Sequence, residues 1–203
     1  MRNAPGEALS QTSGTPGLPK RHARSSRERV DLFVDQLGEL GVVARVVASR
    51  QDARDAIERV MSERAWGSVT CAPGLCWQGI AERWTAEARE AAFGLSEAEW
   101  AAAETGTVVV TSSADERRGY SLLPPAIGVI VPEGRLLESL GDVLHEIASE
   151  EQPLPSCVSF ISGPSNTADI ASVYVVGVHG PREVFIWVIA EGPRGRGLRR
   201  RDE

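Results

Sequence analysis

The chain has 203 residues, 42% of them hydrophobic, a length at which one domain buries about 70% of its unfolded surface and needs no disulfide or metal staple. Its formal charge of −6 is unevenly spread: residues 1–29 carry six basic and two acidic side chains and residues 192–203 five and two, so Val30 to Glu191 holds 11 basic against 24 acidic, a net of −13, which disfavours nucleic acid. Lys20 is the only lysine and precedes every predicted element, which excludes a lysine Schiff base or a P-loop lysine in the folded body.

Residues 1–24 are rich in Gly, Pro, Ser and Thr and are expected to be a disordered leader, followed by a single α/β domain over 25–191 and a basic tail over 192–203. The leader lacks an apolar signal core, and no run of about 18 apolar residues occurs, so the expectation is a cytoplasmic chain without a membrane span. From Ser25 to Leu40, Val30, Phe33, Val34, Leu37 and Leu40 recur at helical spacing until Gly41. Val42 to Ala48 reads as a strand, Gln51 to Arg64 as a helix with Ala53, Ile57, Val60 and Met61 inward, and Ser68 to Ala72 as the next strand. Pro73, Gly74 and Leu75 then form a loop beyond a strand's carboxyl end, where open α/β sheets present ligand-binding groups.

Ser96 and Glu99 have the spacing of a capping box ahead of a short helix through Trp100. That helix is expected to hand over at Glu104, Thr105, Gly106 and Thr107 to an apolar strand beginning at Val108. A carboxylate at such a junction must face a cleft, be paired or be hydrogen-bonded, so Glu104 is compatible with a ligand-contacting role and with a structural one. Ser112 to Gly119 is a polar loop carrying Arg117 and Arg118, which could clamp an acidic ligand or simply be solvated. Ala126 to Val131 reads as a strand and Arg135 to Ala148 as an amphipathic helix with His145 on its surface.

Cys157 to Ile161 reads as a strand covered on both faces, stopped by Gly163 and Pro164. Ser165 and Thr167 can each cap a helix beginning there; its spare amides would equally attract a phosphate or carboxylate, against which Asp169 in the first turn would compete. Val173 to Val178 is expected to be a buried strand, turned by His179, Gly180 and Pro181 into an antiparallel partner over Glu183 to Ala190. His179 suits acid–base work by its near-neutral pKa class and suits a structural bond to a carbonyl equally well. The three cysteines, Cys71, Cys76 and Cys157, lack a close pair, and a lone candidate histidine lacks companions, so no metal or iron–sulfur cluster is expected in this chain.

Three strings, ETGT (Glu104 to Thr107), GPSNTADI (Gly163 to Ile170) and GVHGP (Gly177 to Pro181), occur in an order that resembles the LUD domain family over about Trp100 to Ala190, with a looser match back to Ser25. The resemblance implies a Rossmann-like α/β fold, an open sheet with helices on both faces, related to ribose-5-phosphate isomerase, glucosamine-6-phosphate deaminase and the CoA transferases. It also implies a place in a bacterial system that oxidises L-lactate to pyruvate, with the iron–sulfur clusters in partner subunits. The expected cleft is lined by Glu104, Thr105, Gly106 and Thr107, by Ser162, Gly163, Ser165, Thr167 and Asp169, and by His179, Gly180 and Arg182, with Glu104 and His179 the catalytic candidates and a small anionic metabolite the ligand. The alternative is an enzyme transforming a CoA ester or sugar phosphate, with Glu104 as base or nucleophile and Ser165 and Thr167 holding phosphate.

Overall fold

The computed structural model of the chain describes residues 24–112, 118–149, 154–168, 174–176 and 180–190, with the backbone alone for 166–168 and 174–176. The first helix, α1 (Ser26–Glu39), starts where the Ser25 hydroxyl accepts from the Glu28 amide and the Glu28 carboxylate accepts from the Ser25 amide, a reciprocal cap that satisfies two amides with no helical partner. Val30, Phe33 and Leu37 form its buried stripe. It ends in a Schellman turn: the Val42 amide donates to Leu37 O at 2.9 Å and the Gly41 amide to Gly38 O at 3.1 Å, with Gly41 at φ 73°. Ser25→Ala should therefore lower stability by about 1 kcal/mol in urea titrations, with the m-value unchanged.

Strand β1 (Val43–Val47) leads to α2 (Arg50–Glu63), capped by Ser49, and then to β2 (Val69–Cys71), the short α3 (Gln78–Ala81) and β3 (Phe93–Glu97). After these come β4 (Trp100–Ala102), a 3₁₀ turn (Ala103–Thr105), β5 (Thr107–Ser112), α4 (Gly119–Leu122) and β6 (Ala126–Pro132). The remaining elements are β7 (Leu136–Leu137), α5 (Leu140–Ser149), β8 (Cys157–Ile161), β9 (Asn166–Ala168), β10 (Tyr174–Val176) and β11 (Glu183–Ile189). Five strands make a wholly parallel sheet in the order β1-β11-β6-β3-β2. A second sheet, β7-β4-β5-β8, is mixed, and β9 and β10 form an antiparallel pair.

Apart from its edge strand β1, the parallel sheet is buried on both faces, which is why β6 and β11 read as continuous apolar runs. Alternate residues of β11 divide between two cores. Val184, Ile186 and Val188 meet α1 and the second sheet, whereas Phe185, Trp187 and Ile189 meet α2. The fold is thus α/β, with a central parallel sheet flanked by helices on both faces.

Four expectations fail here for a common reason, that long-range pairing overrode a local signal. Ser96 and Glu99 do not cap a helix: Ser96 lies 2% exposed in β3 opposite Val129, and Trp100 pairs with Val109. The helix expected from Arg135 begins only at Leu140, because Leu136 and Leu137 pair with Ala101 and Ala102 and Ser139 supplies the cap. Cys157 to Ile161 is not covered on both faces; β8 is the outer strand of its sheet, with Phe160 44% exposed. Near the carboxyl terminus the antiparallel pairing is present, but it joins β9 to β10, while β11 lies between β1 and β6 with both neighbours parallel.

Candidate functional site

Strands β5 and β8 run antiparallel with Val108 opposite Ile161, so the next residues outward, Thr107 and Ser162, face each other at the mouth of the pair. Their hydroxyls lie 2.7 Å apart, and the Thr105 hydroxyl lies 2.7 Å from that of Thr107. The result is a chain of three hydroxyls whose middle member is 1% exposed and whose outer members, Thr105 and Ser162, reach solvent. Gly106 makes the bend at φ 59°, and it leans on α1: a Cβ there would lie 3.1 Å from Leu40 Cδ1 and 3.2 Å from Gln36 C. Gly163, at φ 94°, rests against the same helix end, 3.2 Å from Leu40 O on the same measure. The ETGT and SGP segments are therefore seated side by side on the last turn of α1.

The third segment joins through Ser165, whose amide donates to Pro181 O at 2.9 Å, while a Cβ on Gly180 would lie 3.1 Å from Ser165 Cβ. Arg182 is exposed, and its amide donates to Pro125 O at 2.7 Å, just before β6 and β11 begin side by side at Ala126 and Glu183. All three segments thus gather at the amino edge of the parallel sheet, opposite the edge at which open α/β sheets usually bind ligands. Thr167 does not cap a helix, since its backbone lies in β9 opposite Val175. With that helix start goes the expected anion site on its amides. His179 and Asp169, like residues 1–23 of the leader, Arg117 and the basic tail, lie outside the described residues; Arg24, the last residue of the expected disordered leader, is instead held by Glu138.

Glu104 sits in the 3₁₀ turn with its amide donating to Glu138 O at 3.1 Å. The Arg24 guanidinium bridges the two carboxylates, hydrogen-bonded to Glu138 and 3.8 Å from Glu104 Oε1. Arg24 and Glu138 were missed by sequence reasoning because they lie 114 positions apart and neither belongs to a recognisable pattern. At the opposite edge of the sheet, Arg50 at the start of α2 makes a two-pronged ion pair with Glu97 at the end of β3, at 2.6 and 2.7 Å.

Cys71 is buried, Cys76 exposed and Cys157 half-buried. Burial, and secondarily the neighbouring Cys76, push the Cys71 thiol up to about 12, which makes it a poor nucleophile at neutral pH. Cys157 lies on the second sheet, away from the other two, so the three thiols do not fit a four-thiolate cluster. Among the described residues no three His, Cys, Asp or Glu side chains are grouped to hold a metal ion, and no helix is long and apolar enough to cross a membrane.

The pattern of the LUD domain matches residues 74–189, more than half of the chain and inclusive of all three segments. The chain belongs to the LUD domain family. LUD relatives include a protein of Anoxybacillus flavithermus named lactate utilization protein C, 30% identical over 82% of this chain and 83% of that protein. The lactate utilization protein C of Halalkalibacterium halodurans is 44% identical over 49% of this chain and 45% of that protein, so this alignment spans less than half the length of that relative. The uncharacterized protein YkgG of Escherichia coli is 30% identical over 82% of each. A crystal structure of a DUF162 family protein from Deinococcus radiodurans superposes with a TM-score of 0.60 at 21% identity, covering 83% of this chain and all of that one.

Proposed function

We propose that this LUD chain serves the oxidation of L-lactate to pyruvate in the cytoplasm, binding a small anionic metabolite at the Thr105–Thr107–Ser162 edge and docking to iron–sulfur subunits that carry the electrons. The similarity to lactate utilization protein C over more than four-fifths of both chains carries this reading. The chemistry of the edge supports the ligand class. A run of three hydroxyls can orient all its protons one way, so a carboxylate accepting from Thr105 or Ser162 sets the direction for the whole run, and each bond reinforces the next. Arg24 holds the carboxylates of Glu104 and Glu138 together, which lessens their repulsion of an incoming anion. Exposed Arg182 leads into β11 from the same sheet edge and adds positive charge there. Cluster chemistry falls to the partners, because this chain's thiols are too few and too dispersed.

Deleting the coding sequence should slow or abolish growth on L-lactate while leaving growth on pyruvate unchanged. Titration calorimetry of the purified chain with L-lactate and with pyruvate tests the site, and Thr107→Val should weaken binding about tenfold, the equivalent of the neutral hydrogen bond by which Thr107 orients the hydroxyl that meets the anion. Unchanged growth on lactate would overturn the pathway assignment. Equal affinity of the wild type and Thr107→Val would overturn the site.

A further inference from the structure

Strand β1 stands last in its sheet, and among the described residues nothing pairs with its outer edge. Its sequence, VARVV, has no proline or glycine, and it leaves Val43 45% and Val46 50% exposed. An edge strand of this kind offers unpaired amides and carbonyls to another chain unless something blunts it. Beside it α2 contributes Asp52, Asp55, Ala56 and Arg59 to a shallow depression shared with Arg45, Val46 and Val47 of β1. The four α2 positions follow helical spacing along one stripe, acidic towards the amino end, small in the middle and basic towards the carboxyl end. Asp52 and Asp55 accept only local hydrogen bonds, from Ser49 and Gln51, and the ion pairs among the described residues use none of Arg45, Asp52, Asp55 or Arg59.

A stripe that changes sign about its centre is complementary to itself once reversed. A two-fold axis perpendicular to the sheet beside β1 reverses both the strand and the helix, bringing the acidic half of one α2 against the basic half of the other, with Ala56 small enough at the axis to permit approach. We propose that β1 and α2 form the contact face for a second copy of this chain. The two β1 strands pair antiparallel into one continuous sheet, and Arg59 of each copy lies against the acidic half of its partner's stripe. The α2 helix packs on the face of the parallel sheet opposite α1 and the hydroxyls, and no hydroxyl of that edge enters the contact, so the proposal stands independently of the function proposed above.

Sedimentation velocity on the full chain tests it. The wild type should be a dimer, and Val46→Lys, which places a charge at an exposed edge position, should shift it to monomer while circular dichroism stays unchanged. Arg59→Glu leaves an all-acidic stripe, and the double variant Asp52→Lys, Asp55→Lys an all-basic one. Each alone should raise the dimer dissociation constant about tenfold or more, and an equimolar mixture should recover association as mixed dimers. A wild type that stays monomeric would overturn the proposal, as would a dimer indifferent to Val46→Lys and to both charge variants, or charge variants that fail to associate when mixed.

Discussion

Gly94→Ala should destabilise the chain by about 3 kcal/mol or more, because the added methyl group meets backbone. Gly94 lies in β3 between Thr70 of β2 and Ile127 of β6, under the turn formed by α4. A Cβ there would run into the backbone carbonyl oxygen of Tyr120, with Pro124 Cγ 2.9 Å away. Neither can give way cheaply, since Tyr120 is 8% exposed and a proline ring has few alternative positions. The expected outcome in guanidinium titrations is a midpoint lowered far enough to leave part of the population unfolded without denaturant. A midpoint within error of the wild type would show that α4 can lift from the sheet.

Trp187→Ala should cost about 3–5 kcal/mol, and Trp187→Phe clearly less. Trp187 is 1% exposed in β11, an interior strand of the parallel sheet, and stacks on Phe185 with ring centroids 6.1 Å apart. Phe185 in turn meets Trp66 edge-on at 5.6 Å, and Trp66 stacks on Phe93 at 4.7 Å, so one aromatic row ties β11 to β3 across β6. The alanine variant removes the end of that row and leaves a cavity that α2 cannot close. The phenylalanine variant keeps most of the apolar contact and deletes Nε1, a buried donor without a partner among the described residues, so one desolvation cost disappears with it. Equal losses for the two variants in the same titration would contradict this account of the aromatic core.

The candidate ligand edge has a different physical character. It rests on hydroxyls and backbone turns, and its geometry depends on two glycines with positive φ seated on the end of α1. That arrangement ties the candidate ligand site to the first helix of the fold, more than 60 positions before ETGT in the chain. A ligand bound at Thr105 or Ser162 would therefore stabilise α1 as well as the strands that carry the hydroxyls.

Much of this was legible without coordinates because local patterns record burial. The 3.6-residue spacing of Val30, Phe33 and Leu37, and of Ala53, Ile57 and Val60, placed two helices correctly, and the apolar runs at Val108, Ala126 and Val184 announced strands. The motif strings were sufficient to assign the LUD family. What the residues could not disclose was which strand lies beside which. Ser96 and Glu99 match a cap, and Ser165 and Thr167 match a helix start, yet the first pair flanks a strand junction and Thr167 lies in a hairpin. Capping motifs are short and worth about 1 kcal/mol, a preference that a ladder of backbone bonds to a distant partner readily outweighs.

By itself, then, the order of amino acids determined the kinds of element, the alternation of helix and strand, the lack of any lysine in the folded body, and the family. Only the tertiary structure decided that β11 is an interior strand, that β1 is an edge unpaired among the described residues, and that the ETGT and SGPS turns meet at the amino edge of the parallel sheet. The reason is one of range. Periodicity and turn chemistry act over a few residues, whereas the strand order of the parallel sheet rests on pairs from 24 (Val69 with Phe93) to 142 (Val43 with Phe185) positions apart, and Thr107 meets Ser162 across 55, separations that no local pattern encodes.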